Sequence, residues 1–216
     1  MKIALIGTHG TGKTTLALEL TAGLKKLGYN AGFLGELAGR CPLPINEDET
    51  PEAGKWIIHN QYVKEIDEGI KFPVLICDRS IFDGYVYYNY KFGKNIGLEE
   101  TVKEEIKNYD FLFRVPINPD YLIKDGIRSI DPKFQKGIDK RCDYLLNKFS
   151  INCYTTNNLN DMLQIIDNKT MEKNCLIFSK KQGDIIDKEM NKSEGKIRIQ
   201  PFSKKQAEII FKEMKK

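Results

Sequence analysis

Apolar positions along this chain fall into two rhythms. Ile3-Ala4-Leu5-Ile6 and Val74-Leu75-Ile76-Cys77 are unbroken apolar runs with the length of strands buried on both faces. Elsewhere apolar residues return every three or four positions. From Thr15 to Leu27, the side chains of Leu16, Leu20, Leu24 and Leu27 share one helical face. Thr50-Pro51-Glu52 places a cap residue before a proline, a helix start, and that helix is expected to run to about Ile70. Val63, Ile66 and Ile70 define its expected core stripe, with Trp56 and His59 leaning toward it as packing residues. Asp131-Pro132 starts another helix, in which Phe134, Ile138, Leu145 and Phe149 keep helical spacing. Strands are predicted at 2–6, 31–35, 73–77, 110–115 and 151–155, with Tyr29-Asn30-Ala31-Gly32 turning into the second. This alternation predicts an α/β fold, a mostly parallel five-stranded sheet with helices on both faces.

Beyond Lys169 the order changes. Residues 175–178 and 196–200 have strand-like composition, and 182–191 and 203–214 have helical periodicity. The chain therefore divides into a main domain, 1–168, and a small C-terminal α/β addition, 169–216, which 216 residues can accommodate. The addition is basic. It holds 13 Lys and Arg against 7 Asp and Glu, a balance of +6 in a chain whose total is +4. A basic extension can touch nucleic acid or a membrane, but such lysines are more often solvated surface, so nucleic acid is not expected as a partner. A homodimer is left open.

No apolar run approaches the roughly 20 residues of a membrane span. The N-terminal apolar run is short and reads as a core strand, not a signal peptide. Cys41, Cys77, Cys142, Cys153 and Cys175 form no paired spacing and read as reduced thiols of a cytoplasmic protein, with no metal site expected among them.

The chemistry concentrates after the first strand. Gly7-Thr8-His9-Gly10-Thr11-Gly12-Lys13-Thr14 is a P-loop, placed between a strand and a helix as its function requires. Gly7, Gly10 and Gly12 let the backbone wrap a polyphosphate. His9, Thr11 and Thr15 sit in or beside the loop, and the helix N-terminus adds a positive dipole end. Lys13 is expected to reach the β- and γ-phosphates, and the Thr14 hydroxyl to ligate Mg²⁺. The fold class is thereby a P-loop NTPase, with ATP and Mg²⁺ as cofactors. ATP is the default because no Asn-Lys-x-Asp signature of GTP selection occurs, and Thr155-Thr156-Asn157-Asn158 is the expected contact for the nucleotide base.

Further polar groups fall at strand ends, where ligands collect in an open α/β sheet. Asp78 ends the apolar run of the third strand, the place of a second Mg²⁺-organising carboxylate. Arg79 beside it can clamp phosphate or substrate oxygen. Glu36 ends the second strand and can take the proton of an attacking hydroxyl, or can pair with Arg40 one turn later as a helix cap. Gln61 projects nearly opposite Val63, where its amide can read a substrate group or stand in solvent. Asp125-Gly126-Ile127-Arg128 lies where small phosphoryl-transfer enzymes carry a lid, which makes Arg128, with Lys124 second, a candidate to meet transferred charge.

Taken together, the P-loop, Glu36-x3-Arg40, Gln61, Asp78-Arg79-Ser80-x2-Asp83 and Asp125-Gly-Ile-Arg128 resemble the small P-loop kinase-like ATPase family. That family includes the ribosylnicotinamide kinase domain of bacterial NAD regulators and many phage proteins, and it is similar to deoxynucleoside kinases. The resemblance covers about residues 1–168. It implies Glu36 as general base, Asp78 as metal support, Arg79 as a phosphate contact and Gln61 as a base-binding residue. Arg40 and Asp83 would complete the substrate side. The chain departs from the nucleoside kinases in carrying Asp78 where they usually have Glu, and in a less basic lid. Two functions follow as expectations. One is ATP-dependent phosphoryl transfer to a small hydroxylated acceptor such as a nucleoside, nucleotide or ribosylnicotinamide. The other is a nucleotide-dependent ATPase switch that engages a partner through its basic C-terminal part.

Overall fold

The computed structural model describes residues 1–122 and 129–170. Five strands, β1 (Lys2–Ile6), β2 (Ala31–Leu34), β3 (Val74–Asp78), β4 (Phe111–Arg114) and β5 (Tyr154–Thr155), form one sheet in the order β2-β3-β1-β4-β5. Every pairing is parallel, with Leu5 opposite Asp78 and Ile6 opposite Arg114. The predicted strands are all present, and β5 is the one most shortened, to two residues. Helices α1 (Lys13–Lys26), α2 (Pro51–Lys71), α3 (Ile81–Phe92), α4 (Ile96–Glu105) and α5 (Pro132–Lys148) fill the connections.

Ala4, Ile6, Leu75, Cys77 and Leu112 pack with Ile58 of α2, Phe82 and Tyr85 of α3, and Ile138 and Leu145 of α5. The alternate strand positions Ile3, Leu5 and Ile76 are also buried, and α1 packs against β1, β2 and β3 through Leu16, Leu20 and Leu24. Leu27 falls at the helix end and is exposed.

The core stripe expected on α2 is corrected. Val63, Ile66 and Ile70 are exposed, Ile70 by 82%, while Ala53, Gly54, Ile58, Gln61 and Glu65 are buried. A partly polar face is buried here because its polar groups are satisfied. Gln61 Nε2 donates to Glu65 Oε1 at 2.8 Å, Tyr109 donates to the same carboxylate at 2.5 Å, and Lys2 pairs with it at 2.9 Å. His59 is exposed rather than packed, and Trp56 is half-buried.

Ser80 starts α3 with a capping box, its hydroxyl and backbone N–H both directed to Asp83. Residues Met1–Leu163 form one compact unit, which contains the sheet and the P-loop. A second unit is Gln164–Lys216, of which residues 164–170 are described and are helical. The elements expected at 175–178, 182–191, 196–200 and 203–214 lie outside the described residues.

Candidate active site

Parallel pairing brings the carboxyl ends of β1, β2 and β3 to one edge, and with them the P-loop, Glu36 and Asp78-Arg79. Gly7, Gly10 and Gly12 all have positive φ. Gly7 is the tightest. A Cβ there would lie 2.5 Å from the Arg114 guanidinium and 2.9 Å from the Val115 carbonyl, so only glycine fits. Its N–H is held by Asp83 Oδ1 at 2.7 Å. Gly12 precedes α1 and no side chain caps that helix, so its first-turn N–H groups are presented to a ligand, with Thr15 exposed beside them.

Lys13 is buried, and its ammonium donates to the Thr8 carbonyl and to Thr11 Oγ1 at 3.0 Å. Burial, reinforced by Arg79, lowers its pKa to about 7. Thr14 Oγ1 donates to Asp78 Oδ2 at 2.5 Å, which joins the two residues expected at the metal. Asp78 is 1% exposed, and burial raises its pKa despite the Thr14 bond and Lys13. These hard oxygen donors at the end of a P-loop fit Mg²⁺, which is commonly bound by one or two carboxylates together with phosphate oxygens.

Arg79 is a non-glycine residue at φ 80°, a costly backbone conformation. It aims the guanidinium inward, where Nε meets Glu36 Oε1 at 2.6 Å and the plane lies 5.3 Å from the Tyr87 ring. Burial is the largest single effect and opposes this charge, but Glu36 together with Tyr87, Asp83 and Asp78 outweighs it and holds the guanidinium well above its ordinary pKa. The alternative in which Glu36 caps a helix with Arg40 is corrected. Glu36 pairs with Arg79, and Arg40 is exposed on the 3₁₀ turn Ala38–Arg40, away from the cavity beside Glu36.

That cavity encloses ≈ 40 Å³ and is walled by Leu37, Ala38, Ile45 and Ile57, with Glu36, Glu49, Gln61, Arg79 and His9 among its polar lining. Gln61 reaches it and is buried, not solvated. Its amide N–H groups are directed to Glu65 and the Arg79 carbonyl. Asp83 also lines it, and its two oxygens hold Gly7, Ser80 and the start of α3, so it braces the P-loop. Arg128, Lys124 and Asp125 lie outside the described residues.

Three contributors were not singled out in the sequence. Gln135 of α5 donates to the carbonyls of His9 and Gly10 at 2.8 and 3.3 Å, and its own carbonyl accepts from Thr8 Oγ1. Tyr87 of α3 bonds His9 through both the backbone N–H and Nδ1, at 3.0 and 2.8 Å. Burial, with Arg79 and Lys13, lowers the His9 pKa to about 4, so this ring is neutral at neutral pH. Glu49, the residue before the cap of α2, is 5% exposed. A glutamine in a polar helix, one tyrosine of an aromatic run and a loop glutamate carry no local signal of such roles.

Residues 2–160 match the family described as an AAA domain. No curated protein matches the chain. Among solved structures, the fold is similar to that of deoxyadenosine kinase from M. mycoides with products dCMP and a flexible dCDP bound. The TM-score is 0.55 at 17% identity, covering 79% of this chain and 98% of that one. It is likewise similar to thymidylate kinase from Ehrlichia chaffeensis, with a TM-score of 0.55 and 18% identity over 77% of this chain and 97% of that one. The five-stranded parallel sheet with its P-loop is thus a kinase-like fold.

Proposed function

We propose that this chain, which belongs to the AAA domain family, transfers the γ-phosphoryl group of ATP to a small hydroxylated acceptor, a nucleoside, nucleotide or ribosylnicotinamide. The observation that carries this reading is the Glu36–Arg79 pair, 2.6 Å apart in a cavity that adjoins the P-loop through His9 and Asp83. A switch needs the phosphate cradle alone. A second, separately lined cavity with a carboxylate at its mouth is what an acceptor needs.

Thr14 and Asp78 would hold Mg²⁺, which supplies charge neutralisation at the β- and γ-phosphates. Lys13 would exchange the Thr8 carbonyl and Thr11 hydroxyl for phosphate oxygens. An anion there favours the protonated ammonium and reverses the effect of burial. Arg79 fixes the orientation of Glu36, whose carboxylate would accept the proton of the attacking hydroxyl. As that proton transfers, the guanidinium is left free to turn toward the developing negative charge. Fold likeness to a deoxyadenosine kinase and a thymidylate kinase supports a nucleoside or nucleotide as acceptor.

The test is ADP release from Mg·ATP in the presence of nucleosides, nucleotides and ribosylnicotinamide. Glu36→Gln is expected to cut acceptor-dependent turnover by about 10²–10⁴ with little change in ATP affinity. Asp78→Asn is expected to raise the Mg²⁺ concentration needed. Unchanged turnover in Glu36→Gln would remove the base role from this residue.

A further inference from the structure

Among the described residues, three buried polar atoms lining this cavity have no hydrogen-bond partner, His9 Nε2, Glu49 Oε1 and Arg79 Nε, and of these Arg79 Nε is answered by its ion pair with Glu36. The other two, His9 and Glu49, are only 2% and 5% exposed. An unmade hydrogen bond at such depth is costly, and two in one small cavity point to a ligand that completes them.

Glu49 is placed there deliberately by its neighbours. Lys91 of α3 donates to the carbonyls of Asn46 and Glu47 and so fixes the turn that carries it. On α2 the facing residue is Gly54, where a Cβ would lie 2.8 Å from Glu49 Oε1. Glycine in the first turns of a helix weakens it, and here it is what admits the carboxyl. Lys91 is the cation that acts on Glu49, and α2 offers it no charge at Gly54. His9 comes from the P-loop, while Glu36 and Arg79, also in the cavity, are paired with each other.

We propose that Glu49 is a specificity-determining residue of the acceptor cavity, pairing as a neutral carboxyl with the donor–acceptor edge of an uncharged heteroaromatic ring. The assignment rests on the acceptor reading of this cavity. A neutral carboxyl presents an O–H donor beside a carbonyl acceptor, whereas a carboxylate only accepts. The neutral form therefore matches a ring nitrogen beside an amino group, a ring N–H beside a carbonyl, or a carboxamide. The apolar walls of Leu37, Ile45 and Ile57 suit the faces of such a ring. Burial supports the neutral form, raising the Glu49 pKa to about 7 against the opposing effect of Lys91.

The test measures binding of four uncharged nucleosides, deoxyadenosine, deoxycytidine, deoxyguanosine and thymidine, to the full chain without ATP, by calorimetry, at pH 6 and pH 8. Across a pKa near 7 the neutral fraction falls from about nine-tenths to about one-tenth, so Kd is expected to rise about tenfold for the probe that binds best. Glu49→Gln keeps a donor and an acceptor without a titration, so it should bind that probe with a Kd that changes less than about twofold over the same range. Lys13 titrates in this range too, and Glu49→Gln leaves it in place, which separates the two groups. Glu49→Ala should weaken binding at pH 6 by about tenfold or more. An unchanged Kd in Glu49→Ala, a pH dependence that persists in Glu49→Gln, or no binding of any of the four probes at pH 6 would overturn the assignment. A probe bound in this Glu49-dependent way but never phosphorylated would sink the kinase reading alone. A probe phosphorylated equally well by Glu49→Ala would sink the specificity role alone.

Discussion

Buried in the ligand-free protein, Lys13 holds an ammonium among backbone and hydroxyl oxygens that only partly replace water. Its pKa is lowered to about 7. Between about pH 7 and the ordinary lysine range the unfolded chain therefore binds the extra proton, and stability contributed at this site rises with pH through that window. Below pH 7 the full cost of the buried charge remains. Lys13→Met is expected to abolish phosphoryl transfer and to raise Tm more at pH 6 than at pH 9, as scanning calorimetry of the ligand-free protein would show. An equal gain at both pH values would contradict the buried charge. Asp83 makes the opposite case. Asp83→Asn keeps the shape but weakens the bonds to Gly7, Ser80 and the start of α3, and should cost about 1–2 kcal/mol in urea unfolding. A loss of acceptor affinity with full stability would instead assign Asp83 a substrate role.

At the scale of elements, α2 shows how an amphipathic pattern can mislead. Its apolar Val63, Ile66 and Ile70 are exposed, while Gln61 and Glu65 are buried in a network with Tyr109 and Lys2. The paired change Ile66→Ser and Ile70→Ser should shift stability by no more than about 0.5 kcal/mol each. Ile58→Ala, on the buried face, should cost about 2–5 kcal/mol. Equal losses in denaturant unfolding would mean the exposed stripe is covered in solution, and a shift in oligomeric state would accompany them. Helix α3 was less visible to periodicity for a related reason. Ile81, Phe82, Tyr85, Val86 and Tyr88 are all buried, so little polar face remains to mark a period. Its Ser80–Asp83 capping box was the local signal.

For the molecule as a whole, the sheet, the P-loop and the cavity beside Glu36 all belong to Met1–Leu163. A chain ending at residue 170 keeps this unit intact and is expected to bind Mg·ATP with the affinity of the full chain, measured by calorimetry. Loss of triphosphate binding would assign residues beyond 170 to the nucleotide site. The basic balance of those residues also separates kinase from switch. ADP release stimulated by a nucleoside or nucleotide supports the kinase. Release stimulated only by nucleic acid, with affinity that falls steeply as salt rises, supports the switch.

The sequence by itself determined what is local. Strand-like runs and capped helices specified an α/β sheet, and the spacing from Gly7 to Thr14 specified a phosphate cradle, because turn chemistry and backbone N–H geometry act over a few residues. It also marked Glu36 and Asp78-Arg79 as strand-end groups, since a parallel sheet gathers such ends at one edge. Only the tertiary structure decided which side chains meet there. Glu36 meets Arg79 rather than Arg40, Asp83 braces Gly7 from 76 positions away, and Gln135 reaches His9 from 126. Glu49 becomes a buried carboxyl with an unpartnered Oε1 only because Gly54 leaves room for it. Burial, pKa and pairing depend on neighbours distant in sequence, and no local pattern carries that information.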